Sequence, residues 1–159
     1  MRDDIVTPTT ARRLAGAGLV WEPQIGDWCA ILGGEHIGEG NGSLWLVAGI
    51  FPATGMLGLV DSAGKWPAAQ APARDCLWLP TVGKLKAWLR GQGYRVATGE
   101  SPVVLLGGTG ATMRHVCRLT RAEGGTPLDG EGPTESDALA DAILTILSDQ
   151  TDGPPSNRW

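Results

Sequence analysis

The sequence is short of the residues that most chemistry needs. Its 159 positions hold two histidines, three cysteines, one tyrosine and one phenylalanine. Cys29, Cys76 and Cys117 are far apart and form no C-x-x-C pair, so neither a disulfide framework nor a paired-thiol zinc site is indicated; three reduced, mostly buried thiols are expected. His36 and His115 are equally isolated. Cys117 lies two residues from His115 on the same strand face, but two ligands close no zinc site, which needs four, or three and a water. There is no G-x-S-x-G elbow and no paired-carboxylate motif in a recognisable frame. No metal, cofactor or catalytic residue is therefore expected. No apolar run reaches the length of a membrane span, and the first twenty residues set two acids ahead of a broken apolar run, unlike a signal peptide. The expectation is a soluble cytoplasmic protein.

What is abundant is glycine, proline and tryptophan: 24, 11 and 7 residues. That load of turn formers argues for many turns, hence strands. The tryptophans read as large core anchors. Ordinary hydrophobic and charged fractions, 42% and 19%, fit one globular unit of a length that buries about two-thirds of the unfolded chain's surface.

The clearest stretch is Leu77 to Val96. Leu77–Leu79 reads as a strand, Pro80 stops it, and Thr81 is a good N-cap. Val82, Leu85, Trp88 and Leu89 share one side of a helix while Lys86 and Arg90 point to the other. Gly93 suits the left-handed position after the helix, with a strand starting near Tyr94. Earlier, a short helix is expected within Thr7–Gly18, capped by Thr9 or Thr10. A first strand follows over Asp27–Leu32, with Trp28, Ala30 and Leu32 opposite Cys29 and Ile31. Residues 33–42 form a loop with a tight turn at Asn41-Gly42. Ser43–Phe51 reads as a strand covered on both faces, turning through Pro52–Gly55 into Met56–Val60. Lys65–Arg74 is too rich in proline and alanine to pair, and is expected to wrap the surface.

Past the central helix, Tyr94–Ala97 and Pro102–Leu106 read as separate short strands, and Met113–Thr120 as a strand with one core-like and one arginine-bearing face. Residues 122–133 read as a flexible loop. Thr134-x-x-Asp137 opens a last helix with the stripe Leu139, Ala142, Ile143, Ile146 and Leu147. The architecture predicted is α+β: an antiparallel sheet of about five to seven strands with two main helices and a short N-terminal one, near residues 9–17, 81–92 and 135–149. Residues 1–150 form a single domain, strand-rich over 19–80 and helix–strand–strand–helix over 80–150, with 151–159 a disordered tail. The core should hold Trp28, Leu44, Leu46, Leu59, Leu77, Leu85, Leu89, Val96, Val104, Leu139, Ile143 and Ile146.

Charge is uneven. Lys84 to Arg121 holds seven Lys/Arg against Glu100, while residues 122–152 hold eight acids and no Lys or Arg. Such short blocks ordinarily complement each other within a fold; if they do not, Lys86, Arg90, Arg95, Arg114 and Arg118 make an anion-attracting face. The glycine loop Gly107, Gly108, Thr109, Gly110 joins two strands, so it lacks the helix N-terminus of a phosphate loop. A hairpin turn is the simpler reading, and an amide nest for an anion the other.

Residues 80–150, through Pro80-Thr81, Leu85, Trp88, Leu89, Gly93-Tyr94, Val96, and then Thr134, Ala138, Leu139, Ala142, Ile143 and Leu147, resemble the helix–strand–strand–helix modules of small bacteriophage and prophage proteins described as an ABA-sandwich domain. The glycine-rich strand region ahead is not part of that pattern. The resemblance implies an accessory protein of viral or mobile-element origin that acts by binding. Gly130 to Leu144, a glycine-rich turn and the alanine-bearing last helix, also resembles the last helix of double-stranded-RNA-binding domains, but those need lysine at the start of that helix, where Glu135, Ser136 and Asp137 stand, and carboxylates repel RNA. The function expected is thus a non-enzymatic, self-associating binding protein that inhibits or sequesters a host component. The alternative is a small-ligand binder holding an anionic nucleotide between the glycine loop and Lys86, Arg90, Arg114 or Arg118.

Overall fold

Residues 77–96 fold in the predicted order, as strand, helix and strand. A computed structural model describes residues 4–32, 44–61, 69–104 and 110–151, the side chains of Val104 and Ala111 apart. The Asn41-Gly42 turn, His36, Gly107 to Thr109, Val104 as a core side chain and the tail from 152 lie outside the described residues. The described elements are α1 (Pro8–Gly16), β1 (Trp28–Ile31), β2 (Trp45–Phe51), β3 (Met56–Val60), β4 (Ala69–Pro72), a 3-10 turn (Ala73–Asp75), β5 (Cys76–Trp78), α2 (Val82–Gly91), β6 (Tyr94–Val104), β7 (Ala111–Arg121), β8 (Leu128–Gly132) and α3 (Glu135–Thr151). The fold is α+β and antiparallel. The eight strands among the described residues make two sheets instead of one, ordered β4-β3-β2-β1-β5 and β6-β7-β8. None of the described helices is long and apolar enough to cross a membrane.

Local chemistry explains the helices. The Thr81 hydroxyl accepts the Lys84 N–H, and Gly93 takes φ +86° just past the end of α2, the backbone glycine adopts without steric cost. Helix α1 is capped by Thr7, not by Thr9 or Thr10: Thr7 accepts the Thr10 N–H and Pro8 fills the first helical position, where its missing N–H is no loss. Thr134 caps α3 through the Asp137 N–H at 3.1 Å.

Three segments depart from the sequence reading. The Pro/Ala-rich stretch pairs after all: β4 runs antiparallel to β3 with Pro72 opposite Met56, at a sheet edge where an absent N–H breaks no ladder. Tyr94 to Val104 is one eleven-residue strand, paired with β7 over its whole length, not two short ones. Within the supposed loop 122–133, β8 pairs with β7 from Leu119↔Leu128 to His115↔Gly132. Its glycines are there for close approach, since a Cβ at Gly130 would lie 2.3 Å from the Ala138 carbonyl oxygen and one at Gly132 2.6 Å from Asp137 Cβ. Helix α3 therefore lies directly on β8.

The main core gathers α1, α2, α3 and the facing residues of β5 and β7. A smaller second core of Cys29, Val47, Leu57, Leu59, Ala71 and Cys76 lies on the five-stranded sheet. Of the core residues predicted, Leu59, Leu77, Leu85, Leu89, Leu139, Ile143 and Ile146 are buried, whereas Trp28, Leu44, Leu46 and Val96 are half-buried. Strand β2 explains the difference. Leu46 and Val47 are both apolar, so alternation cannot choose a face; the structure buries Val47 and shifts register just after it, between Val47 and Gly49. Nor is β2 covered on both sides, because Ile50 and Phe51 are exposed at its end. All five described tryptophans, Trp21, Trp28, Trp45, Trp78 and Trp88, are half-buried and sit at the margins of the cores.

Candidate binding surface

Strands β6 and β7 are long enough to outrun the helices that cover them. Alternation puts Val96 and Thr98, opposite Leu119 and Cys117, under the helices, with Gly130 and Gly132 of β8 beside them. The other face carries Arg95, Ala97 and Gly99 on β6, Arg114, Val116 and Arg118 on β7, and Asp129 and Glu131 on β8. These side chains are exposed, Val116 being half-buried, and only Arg114 and Glu131, at the β8 edge, come near α1 and α3. Arg118 reaches across to Asp129 through two parallel hydrogen bonds of 2.7 Å each, and Arg114 stands 3.5 Å from Glu131. The hydrogen bonds from Arg118 hold the Asp129 carboxyl below its usual range, and the same contact raises the guanidinium. Both side chains are exposed, so the pair orders the surface without adding much stability.

The predicted cations separate into two layers. Arg95, Arg114 and Arg118 share the outer sheet face. Lys86 and Arg90 lie on α2, on the other side of the sheet. Lys86 is 2.6 Å from Glu135 at the start of α3, and Thr98 donates to the same carboxylate at 2.8 Å. The Lys86 contact first, and Thr98 second, pull the Glu135 carboxyl below its ordinary range. Arg90 is exposed in the last turn of α2. Gly110 leads into β7. The basic and acidic blocks therefore meet at Lys86–Glu135, Arg114–Glu131 and Arg118–Asp129, the first of the two arrangements the charge pattern allowed. The acidic partners of the arginines come from β8, not from the last helix, and they were illegible while residues 122–133 read as a loop.

A cleft of about 340 Å³ lies between α1, α3 and the edge of β8, lined in part by Arg13, Arg114, Glu131, Asp137 and Asp141. Its carboxylates are already engaged. Asp137 accepts from Thr10 at 3.1 Å and from Thr134 at 2.8 Å, and Asp141 accepts the Glu131 N–H at 3.0 Å. This last bond satisfies a donor that the β8 edge would otherwise offer to another chain, and Pro133 after it has no N–H to offer. His115 lies 3.7 Å from Glu100 across β6 and β7. Among the described residues no three His, Cys, Asp or Glu side chains gather in a way that could hold a metal ion.

Sequence reasoning gave no weight to Asp27, whose side chain is 2% exposed. One carboxylate oxygen accepts the Trp21 indole N–H and the Gln24 backbone N–H, both at 2.9 Å. The other faces Lys84 Nζ at 3.2 Å, so a buried charge ties the segment before β1 to α2. Nothing in the local pattern sets Asp27 apart from a turn residue. No protein family, curated protein or solved structure matches this chain.

Proposed function

We propose that the chain is a non-enzymatic binding protein whose docking surface is the outer face of the three-stranded sheet, and that its partner is a protein of mixed surface charge. One observation carries this reading: an extended face of β6, β7 and β8 lies uncovered among the described residues, with arginine and carboxylate alternating across strands around the small residues Ala97 and Gly99. Flat neighbours and cross-strand pairs suit a surface that reads its partner by charge register more than by apolar burial. The resemblance of residues 80–150 to phage-type modules supplies the setting, an accessory protein that inhibits or sequesters a host component. Against the nucleotide alternative, Lys86, Arg114 and Arg118 each face a carboxylate that an anionic ligand would have to displace.

The test pairs a pull-down from host lysate with the double change Arg114→Glu and Arg118→Glu. Capture of a partner that is lost in the double variant, and that weakens as rising salt shortens the Debye length from about 10 Å at 0.1 M, supports the reading. A partner held equally by both proteins removes the sheet face from the account. A nucleotide panel separates the alternative, because a ligand at about 100 times its Kd adds about 2.7 kcal/mol of stability.

A further inference from the structure

Two of the three cysteines, distant in sequence, are neighbours in space. Cys29 on β1 pairs with Trp78 of β5, and Cys76 pairs with Ile31, so the two cysteines lie on one diagonal of the same sheet face, in the same small core. The two side chains lie close enough for each to shift the other's ionisation. They differ in access: Cys29 is fully buried and Cys76 is 8% exposed. Cys76 also lines a cavity of about 90 Å³ between α1 and the parallel rings of Trp21 and Trp78. The exposed Ala15 and the two half-buried tryptophans form its rim. A space of that size admits a molecule of a few heavy atoms beside Cys76, whereas Cys29 does not line it.

We propose that Cys29 and Cys76 are a hydroperoxide-reactive dithiol that closes to a reversible intramolecular disulfide, with Cys76 the attacking and Cys29 the resolving sulfur. The Cys76 thiolate gives an electron pair to the distal oxygen of the peroxide. The O–O bond breaks, hydroxide or alkoxide leaves and takes up a proton, and Cys76 becomes a sulfenic acid. Cys29 then attacks that sulfur, the S–O bond breaks, and the hydroxyl leaves with the Cys29 proton as water. Two thiols are oxidised and one peroxide is reduced, to two waters in the case of hydrogen peroxide. The roles follow from position. In keeping with this, the neighbouring Cys29 sulfur favours ionisation of Cys76, while the Cys76 sulfur first, and burial second, push the Cys29 thiol up. Diagonal strand neighbours stand roughly 7–8 Å apart and a disulfide spans roughly 4.4–6.8 Å, so closure draws β5 toward β1. Strand β5 is at the sheet edge, where it can shift against a single partner.

The test treats the native full chain with hydrogen peroxide, alkylates free thiols after denaturation, and reads intact mass and linked peptides. The expected product is lighter by two hydrogens before alkylation, keeps only Cys117 alkylatable, yields a linked Cys29–Cys76 peptide, and returns to three free thiols on reduction. In Cys29→Ser, dimedone should trap a sulfenic acid on Cys76; in Cys76→Ser, no disulfide should form. Three free thiols remaining in the peroxide-treated wild type, a disulfide involving Cys117, or oxidation of Cys76 beyond sulfenic acid without a disulfide overturns the proposal. The wild-type measurement decides the matter even where a serine variant fails to fold.

Discussion

At the scale of single residues, the tightest constraint is the one the sequence disguised as a loop. Gly130→Ala would force its Cβ to within 2.3 Å of a backbone oxygen of α3, so the helix must lift, and the change should cost at least about 1–3 kcal/mol in a urea melt. Gly99→Ala is the control: nothing lies within 4 Å of its Cβ position, and the variant should melt within about 0.5 kcal/mol of the parent. Equal melts for the two would mean that α3 does not rest on β8. Asp27→Ala should leave the Trp21 and Gln24 donors unpaired at about 1–3 kcal/mol each, with loss of the Trp21 indole N–H environment visible by NMR. Single positions were legible where alternation was clean, as at Cys117 and Leu119, which are buried on β7. They were illegible where both faces of a strand are apolar, as at Leu46 and Val47, or where a small residue serves a neighbouring helix, as at Gly130.

At the scale of elements, the helices were read closely because capping and stripe are local. The sequence reading of 81–92 compares with Val82–Gly91, and that of 135–149 with Glu135–Thr151. Leu89→Ala and Ile143→Ala, both at fully buried sites, should each cost about 2–5 kcal/mol by chemical denaturation; melts like the parent's would put these stripes on the wrong side. Strands β4 and β8 escaped because their residues are poor strand formers, and their pairing comes from neighbours, β3 for one and β7 with α3 for the other. The joint between α2 and α3 adds a pH dependence. Glu135 titrates below its ordinary 4.5 in the folded state, so in acid the unfolded chain binds the extra proton. Stability should be level near neutrality, fall as pH drops below about 4.5, and keep falling through the lower folded value. Glu135→Gln should flatten part of that slope in melts between about pH 6 and pH 3; an unchanged slope would mean that the Lys86 contact does not persist in solution.

At the scale of the whole molecule, the α+β class was legible from the density of turn formers and the three capped helices. The division into two sheets was not. Nothing in the residues shows that β5 pairs with β1 across more than forty intervening positions, because long-range pairing leaves no local period. The proposed docking face has the same origin, since its charges face one another only once β8 is in register. Arg114→Glu with Arg118→Glu should leave the fold intact, because both pairs are exposed and screened by solvent, so a lost partner in that variant reports on binding and not on unfolding. The contact between α1 and α3 has a consequence of another kind. Thr10 donates to Asp137, and Ala11 and Leu14 share a core with Leu139 and Ile143. During synthesis α1 leaves the ribosome before α3, and its apolar side stays only partly covered, by β5, until α3 has emerged. The small core of β1 to β5 can close early, but the main one closes last and all at once. Aggregation during expression should therefore begin from chains that stop short of α3, the stage at which a chaperone has something to hold.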